Sequence, residues 1–262
     1  MRPARDYAYF DAPPLAFAHR GGALYEPNLH RENTLVAFRN AVELGYRYIE
    51  TDVHATSDGV LVAFHDKELD RVTDGRGAIS GLPYAQVREA RIAGQEPIPL
   101  LAEILEALPA TRVNIDIKAS GAIGPLWRAI EEHSAHDRVC VASFSNLRLA
   151  RFRRLARGRV ATAAGWAGTA ALRFGPAALT AVVSSPGQVL QIPDRMPLAG
   201  RPVEVVTPRL IETAHRVGKQ VHVWTIDDPG DMTRLLDMGA DGIVSDRIEV
   251  LRRVLEARGQ WA

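Results

Sequence analysis

Eight short apolar runs, each long enough for one β-strand, are spread along the 262-residue chain and separated by segments with helical patterning. Alternation of this kind predicts βα units and a parallel sheet. Eight such units fit an α/β fold of the TIM (β/α)8 barrel type. The runs end near Gly21, Ala55, Lys118, Phe144, Gly165, Pro193, Ile226 and Asp246. The fifth and sixth units have the weakest pattern, because residues 161–181 are rich in Ala and residues 186–208 are rich in Pro.

The regular alternation is interrupted once, after the second strand. "TSDG" at residues 56–59 predicts a hairpin turn that returns "VLVAFHD" beside the second strand. Residues 66–99, rich in Gly and charge, then form a small insertion at the mouth of the barrel, a place where such segments often shape a site. No linker divides the chain, so we expect one domain over residues 1–262.

Two of the strands carry acidic side chains on one face. Glu50 and Asp52 share a face of "YIETDVHA", and Asp116 shares a face of "RVNIDIK" with Lys118. Buried carboxylates need an ion-pair partner, hydrogen bonds or a metal. Because the carboxyl ends of all strands meet at one mouth of a TIM barrel, the three carboxylates should converge there. An all-oxygen ligand set favours Mg²⁺ or Ca²⁺ over Zn²⁺, so we predict one divalent cation.

The first strand closes with "AHRGG", which adds His19 and Arg20 to the same mouth. A metal together with Arg20 and Lys118 suits a phosphate group, and His19 and His65 are candidates for proton transfer. These residues outline a site for phosphoryl transfer. Trp224 is either a core residue or an apolar wall for the organic part of a substrate.

The motifs "HRGG", "RENT", "ETDVHATSDGVLVAFHD", "NIDIK", "VHVWTIDD" and "DGIVSD" occur in this order and span nearly the whole chain. Together they resemble the glycerophosphodiester phosphodiesterase family. The resemblance implies a TIM barrel that uses a divalent cation to cleave glycerophosphodiesters to sn-glycerol 3-phosphate and an alcohol. It implies acid and base roles for His19 and His65, metal ligation by Glu50, Asp52 and Asp116, and phosphate contact by Arg20 and Lys118.

The sequence departs from the family pattern at two places. Asp116 stands where many members have glutamate, so its shorter side chain either ligates the metal directly or acts through water. The segment "ALYEPNLH" between "HRGG" and "RENT" is longer than is usual in the family and is expected to alter substrate access. Glu32 either supports the metal site or braces this loop. Asp246 is either a helix cap or a site residue.

Composition restricts the partners. The formal net charge of +1 gives no general reason to expect nucleic acid binding. Cys140 is the only cysteine, and neither a signal peptide nor an apolar run long enough to span a membrane is visible. We therefore expect a cytoplasmic protein without stable membrane insertion. The arginine stripe of "NLRLARFRRLARGR" is either a solvated helix face or a site for an anionic membrane.

Two rival functions share this set of residues. A phospholipase D-like enzyme acting on lysolipids would need an apolar ramp at the mouth, which residues 66–99 do not obviously supply. A non-catalytic barrel that only binds a phosphorylated ligand would usually have lost one of the two histidines. The alcohol leaving group and the oligomeric state leave no signature in the sequence.

Overall fold

The computed structural model describes residues 2–10, 14–175, 186–198 and 200–261. Eight parallel strands form a barrel surrounded by helices, as the alternation of apolar runs predicts. In chain order the strands are β1 (Leu15–His19), β2 (Tyr48–Ala55), β3 (Leu61–Ala63), β4 (Arg91–Ile92), β5 (Glu96–Pro97), β6 (Arg112–Ile117), β7 (Val139–Ala142), β8 (Ala161–Thr162), β9 (Val189–Pro193), β10 (Arg195–Leu198), β11 (Arg201–Glu204), β12 (Gln220–Trp224) and β13 (Gly242–Ser245). The barrel consists of β1, β2, β6, β7, β8, β9, β12 and β13.

Helices surround the barrel, and the second of them lies in the insertion. They are α1 (Leu35–Glu43), α2 (Tyr84–Val87), α3 (Leu101–Ala107), α4 (Ile123–Glu132), α5 (Asn146–Ala156), α6 (Trp166–Phe174), α7 (Pro208–Arg216), α8 (Pro229–Asp237) and α9 (Ile248–Ala257). Helix α1 begins directly after Thr34, whose side chain accepts a hydrogen bond from the Ala37 N–H. Within the described residues, no helix combines the length and the hydropathy that crossing a bilayer requires.

The order of strands around the barrel is β8, β7, β6, β2, β1, β13, β12 and β9. The ring closes between β8 and β9 through backbone hydrogen bonds. The Gln188 N–H donates to the Thr162 carbonyl at 2.7 Å, and the Ala164 N–H donates to the Val189 carbonyl at 2.7 Å. All eight predicted strands are confirmed. Strand β8 has only two residues, in keeping with its weak pattern, and residues 176–181 of the Ala-rich region lie outside the described residues.

Alternate residues of each strand point into and out of the barrel. Phe17, Tyr48 and Cys140 pack inside, where Tyr9 closes the end opposite the mouth by accepting a hydrogen bond from the Tyr48 hydroxyl at its backbone carbonyl. The intervening apolar side chains pack beneath the helices, as Ile49 does. Because apolar side chains fill the lower interior, the inward positions at the carboxyl ends of the strands are left for polar groups.

The insertion after the second strand is present as predicted. Strand β3 pairs antiparallel with β2, and β4 and β5 form a short hairpin further along. Together with Val62 and Phe64, which precede it, the insertion buries a separate apolar cluster whose other members are Leu69, Ile79, Val87, Ala90, Ile92 and Ile98. A separate small core of this kind holds the segment in one position beside the mouth.

Candidate active site

The three predicted carboxylates lie on adjacent strands at the mouth. Strand pairing puts Asp52 of β2 opposite Asp116 of β6, and puts His19 of β1 opposite Glu50. All three carboxylates are buried, with at most 6% of each residue exposed. The shared inner face that the alternation predicts therefore brings them to one side of the barrel interior.

Two cations partly balance this negative charge. The Lys118 ammonium lies 2.8 Å from Asp52 Oδ1 and 2.8 Å from Asp116 Oδ2. Arg20 Nε is 3.3 Å from Asp52 Oδ2 without forming a hydrogen bond, and another nitrogen of the same guanidinium bonds Glu32 at 3.2 Å. Burial acts to raise the pKa of Asp52, but Lys118 and Arg20 outweigh it and hold that pKa below its usual value.

Glu50 is less well compensated. Its Oε2 is 3.8 Å from His19 Nε2 and accepts a 3.3 Å hydrogen bond from the Arg20 backbone N–H. Burial, followed by the charge of Asp52, raises the pKa of Glu50 to about 7. Burial likewise raises the pKa of Asp116, whose Oδ1 is buried and has no hydrogen-bond partner.

A tight turn after β1 positions His19 and Arg20. Three successive residues, Arg20, Gly21 and Gly22, have positive φ angles of 52°, 89° and 90°. A Cβ atom on Gly21 would lie 2.7 Å from the Ala37 Cβ, so a glycine is required there both by the backbone and by the close approach of α1.

His19 is held by the carboxylate of the residue that directly follows the last barrel strand. Its Nδ1 lies 2.8 Å from Asp246 Oδ1, and because an ionised carboxylate only accepts hydrogen bonds, Nδ1 carries the proton. Burial lowers the pKa of His19, but the hydrogen bond to Asp246 and the charge of Glu50 outweigh it and raise that pKa. Asp227 positions this segment by accepting hydrogen bonds from the Ser245 hydroxyl and the Asp246 N–H.

His65 has an equivalent arrangement on the insertion side. Its Nδ1 is 2.6 Å from Asp66 Oδ1, and Arg71 Nε donates to Asp66 Oδ2 at 2.5 Å. Arg71 also pairs with Glu32 at 2.6 Å, which joins the insertion to the loop after β1. The Arg71 guanidinium and the hydrogen bond from His65 lower the pKa of Asp66 to about 2. His54 supports His65 by donating to its carbonyl at 3.2 Å.

Aromatic side chains form one wall of the mouth. The Phe144 ring lies 5.5 Å from the Trp224 ring and 6.2 Å from the Trp166 ring. Lys118 Nζ stands 5.5 Å from the centre of the Phe144 ring. Trp224 lines the cavity and also packs against the apolar interior of the barrel, so both alternatives for this residue describe part of its environment.

All eight predicted site residues line a single cavity of about 190 Å³: His19, Arg20, Glu50, Asp52, His65, Asp116, Lys118 and Trp224. The sequence motifs leave the role of Asp246 open and do not distinguish Asp227, Trp166 or Arg71. "VHVWTIDD" and "DGIVSD" contain Asp227 and Asp246, so their aspartates carried the available signal. Nothing local marks Arg71 among the other charges of the insertion.

The donor set suits a hard divalent cation in its chemistry. Its side-chain donors are carboxylate oxygens, one of them the unpartnered Asp116 Oδ1, and burial together with the charge of Asp52 raises the pKa of Glu50. Across the part of the chain that the structure describes, no group of three His, Cys, Asp or Glu side chains is arranged to hold an ion as it stands. The Lys118 ammonium instead bridges two of the carboxylates.

Sequence comparison bears directly on this site. The profile of the glycerophosphoryl diester phosphodiesterase family matches residues 19–250, a range that includes every residue of the cavity. The chain belongs to this family. It is 43% identical over 251 residues to "Probable glycerophosphodiester phosphodiesterase 2" of Mycobacterium tuberculosis, covering 94% of this chain and 92% of that relative. The chain is thus an enzyme, a hydrolase of phosphoric diesters.

Solved structures confirm the barrel. The crystal structure of a protein from Silicibacter pomeroyi DSS-3 matches this chain with a TM-score of 0.80 at 23% sequence identity. The match covers 98% of this chain and 100% of the Silicibacter chain. An Oleispira antarctica phosphodiesterase in complex with the product sn-glycerol-3-phosphate has a TM-score of 0.76 at 23% identity, covering 93% of this chain and 97% of its own. At these identities the similarity establishes the fold.

Proposed function

We propose that this enzyme uses a divalent cation to cleave glycerophosphodiesters into sn-glycerol 3-phosphate and an alcohol. The observation that carries the proposal is the pair of histidines in one cavity, each with Nδ1 bound to an aspartate. The cavity also contains two fixed cations and three buried carboxylates. The product complex of the Oleispira relative supports the choice of substrate class.

The residues of this chain divide the chemistry between them. With Nδ1 bound to a carboxylate, each histidine keeps Nε2 for proton transfer. One histidine removes the proton from the glycerol hydroxyl next to the phosphoester, and that oxygen attacks phosphorus. The other histidine protonates the departing alcohol as its P–O bond breaks. Water then opens the resulting cyclic phosphate, with the two histidines exchanging roles.

The charged groups serve this reaction in two ways. Arg20 and Lys118 offset the charge that grows on the phosphoryl oxygens. Glu50, Asp52 and Asp116 are the residues that would hold a divalent cation, and the bound ion would supply positive charge to the glycerol and phosphate oxygens. An intramolecular nucleophile gains a high effective molarity, so the first step needs no positioned water.

A release assay tests this function. A panel of glycerophosphodiesters with different alcohols should yield sn-glycerol 3-phosphate, a chelator should abolish turnover, and Mg²⁺ or Ca²⁺ should restore it. Full activity in excess chelator after dialysis would contradict the requirement for a divalent cation. The assignment of the phosphodiesterase reaction would not be affected.

The attacking hydroxyl has its own test. A substrate analogue lacking that hydroxyl should bind with similar affinity but resist cleavage, and rapid-quench samples of the normal reaction should contain a cyclic glycerophosphate. Efficient hydrolysis of the deoxy analogue would show direct attack by water.

The residues of this cavity also bear on the two rival functions, a barrel that only binds phosphate and an enzyme that hydrolyses lysolipids. Intact, carboxylate-bound histidines argue against a barrel that only binds phosphate, as does membership of an enzyme family. Lysolipid hydrolysis is favoured by one observation, the Phe144 side chain, which lines the cavity and is 53% exposed. Comparing the rates of hydrolysis of lysophosphatidylcholine and glycerophosphocholine, below the critical micelle concentration, distinguishes the two substrate classes.

We also propose that the protein is located in the cytoplasm, as expected from its sequence.

A further inference from the structure

Positive charge is concentrated on one flank of the barrel. Residues 138–193 contain eight arginines and no Asp or Glu, although the whole chain has a formal net charge of only +1. The rest of the chain is therefore net negative. This stretch includes β7, α5, β8, α6 and β9, which are consecutive in the chain, and its first two strands are neighbours in the barrel.

Some of these arginines form hydrogen bonds or ion pairs within the protein. Arg153 donates to the Thr162 hydroxyl and to the Pro186 carbonyl, and Arg159 pairs with Glu131 at 2.6 Å. Arg151 and Arg154 differ, because both are exposed on α5 and neither forms an ion pair with any described residue. Two unneutralised guanidinium groups thus stand on the outer face of this helix.

Large apolar side chains accompany them. Leu147 is 58% exposed and Leu155 is 40% exposed, and their spacing from Arg151 and Arg154 places all four on one helix face. Phe144, directly before α5, is 53% exposed. The sequence leaves two alternatives for this stripe, a solvated helix face and a site for an anionic membrane. In the structure Phe152 is buried, but Leu147 and Leu155 face solvent.

We propose that the α5 face, formed by Phe144, Leu147, Arg151, Arg154 and Leu155, docks on an anionic lipid bilayer. The arginines attract anionic headgroups, and the leucines and the phenylalanine enter the interfacial region, the combination by which amphipathic helices bind membranes. A nucleic acid would also attract the arginines, but it gives no role to exposed aliphatic side chains. Because Phe144 also lines the catalytic cavity, docking would bring the mouth close to the lipid surface.

Vesicle flotation with the full-length protein tests the proposal. The protein should float with vesicles containing about one-third phosphatidylglycerol, should not float with pure phosphatidylcholine, and should dissociate as salt is added. The double variant Arg151→Gln/Arg154→Gln should weaken binding to anionic vesicles about thirty-fold, the loss expected for two basic residues at an anionic surface. Leu147→Ser/Leu155→Ser should also weaken it.

A matched control removes the same charge elsewhere. Arg39 on α1 and Arg253 on α9 are exposed, and these helices follow β1 and β13, on the far side of the barrel from β7. Arg39→Gln/Arg253→Gln should bind vesicles like the unmodified protein. An equal loss in this control, full binding by the α5 arginine variant, or no flotation at low salt would overturn the proposal. So would binding to single-stranded RNA that is insensitive to the leucine changes, without flotation.

Vesicle binding requires no turnover, so this result is independent of the proposed reaction. Hydrolysis of a soluble glycerophosphodiester should have the same kcat/KM in both α5 variants as in the unmodified protein, because none of the four altered side chains lines the cavity. If the unmodified protein floats with anionic vesicles but does not hydrolyse the diester, the proposed reaction is contradicted and the proposed membrane docking is not.

Discussion

His19 and His65 each have one ring nitrogen bound to an aspartate, and this pairing decides which nitrogen is left for chemistry. Removing a general acid or base typically costs ~10²–10⁴-fold in rate, so His19→Ala and His65→Ala should each lose that much in kcat while the fold survives. The double variant should lose less than the product of the two, because the histidines act in one reaction. Near-normal turnover in either single variant would make that histidine structural.

Asp246 is hydrogen-bonded to His19 Nδ1, and we propose that it is a positioning residue in this site. Asp246→Ala should lower kcat by at least about tenfold, yet less than His19→Ala does, with KM and the melting temperature little changed. Asp246→Asn keeps an acceptor for the Nδ1–H and should recover part of the activity. Equal kinetics for the alanine and asparagine variants would show that the hydrogen bond does not orient the ring.

Asp116 is one of the two places where we expect the sequence to depart from the family pattern. Asp116→Glu should keep cation binding and much of the activity, since the family resemblance implies a glutamate at this position, whereas Glu50→Ala and Asp52→Ala should be nearly inactive. Titration calorimetry with Mg²⁺ and Ca²⁺ measures this directly. Loss of cation binding in Asp116→Glu would show that the site requires the shorter reach.

At the scale of elements, the insertion is joined to the loop after β1 by Arg71, which bonds both Asp66 and Glu32. Arg71 is 49% exposed at its side chain, so Arg71→Ala should change the free energy of unfolding by less than ~1 kcal/mol. We expect instead a higher KM and faster amide exchange across residues 66–99, because this contact fixes the Asp66–His65 pair. Glu32 pairs with both Arg20 and Arg71, and we propose that it braces the loop.

Arg76→Ala is the control for this contact. Arg76 belongs to the same insertion, is 83% exposed, and pairs only with Asp70 among the described residues. Removing the Arg76 side chain should alter neither KM nor the rate of amide hydrogen exchange across residues 66–99. Identical kinetics for Arg71→Ala and the unmodified protein would mean that the buried cluster of the insertion alone positions His65.

At the scale of the whole molecule, a buried histidine in the barrel interior couples stability to pH. The His222 ring lies 4.8 Å from the Phe17 ring, and burial lowers the pKa of His222 from 6.5 to about 3. Below pH ~6.5 the unfolded chain binds a proton at this residue that the folded chain does not. Stability should therefore fall with decreasing pH, by ~1.4 kcal/mol per pH unit from this group, between pH ~6.5 and ~3.

Urea unfolding at several pH values checks this coupling. His222→Gln should show a shallower loss of stability on acidification than the unmodified protein, and because both retain the other seven histidines, the difference in slope belongs to His222. Parallel stability curves would mean that the ring is protonated in the folded state. The absolute cost of the substitution, which reflects packing against Phe17, does not affect this comparison.

The sequence alone determined the eight strands, the insertion and the inner-face positions of Glu50, Asp52 and Asp116, because strand alternation is a local property and parallel strands share one mouth. It could not decide Asp246, since a hydrogen bond to His19 joins residues 227 positions apart. The brace through Arg71 and the exposure of Leu147 were equally beyond it. Pairing across the barrel and the choice of buried helix face depend on how distant elements pack, and only the tertiary structure fixes that.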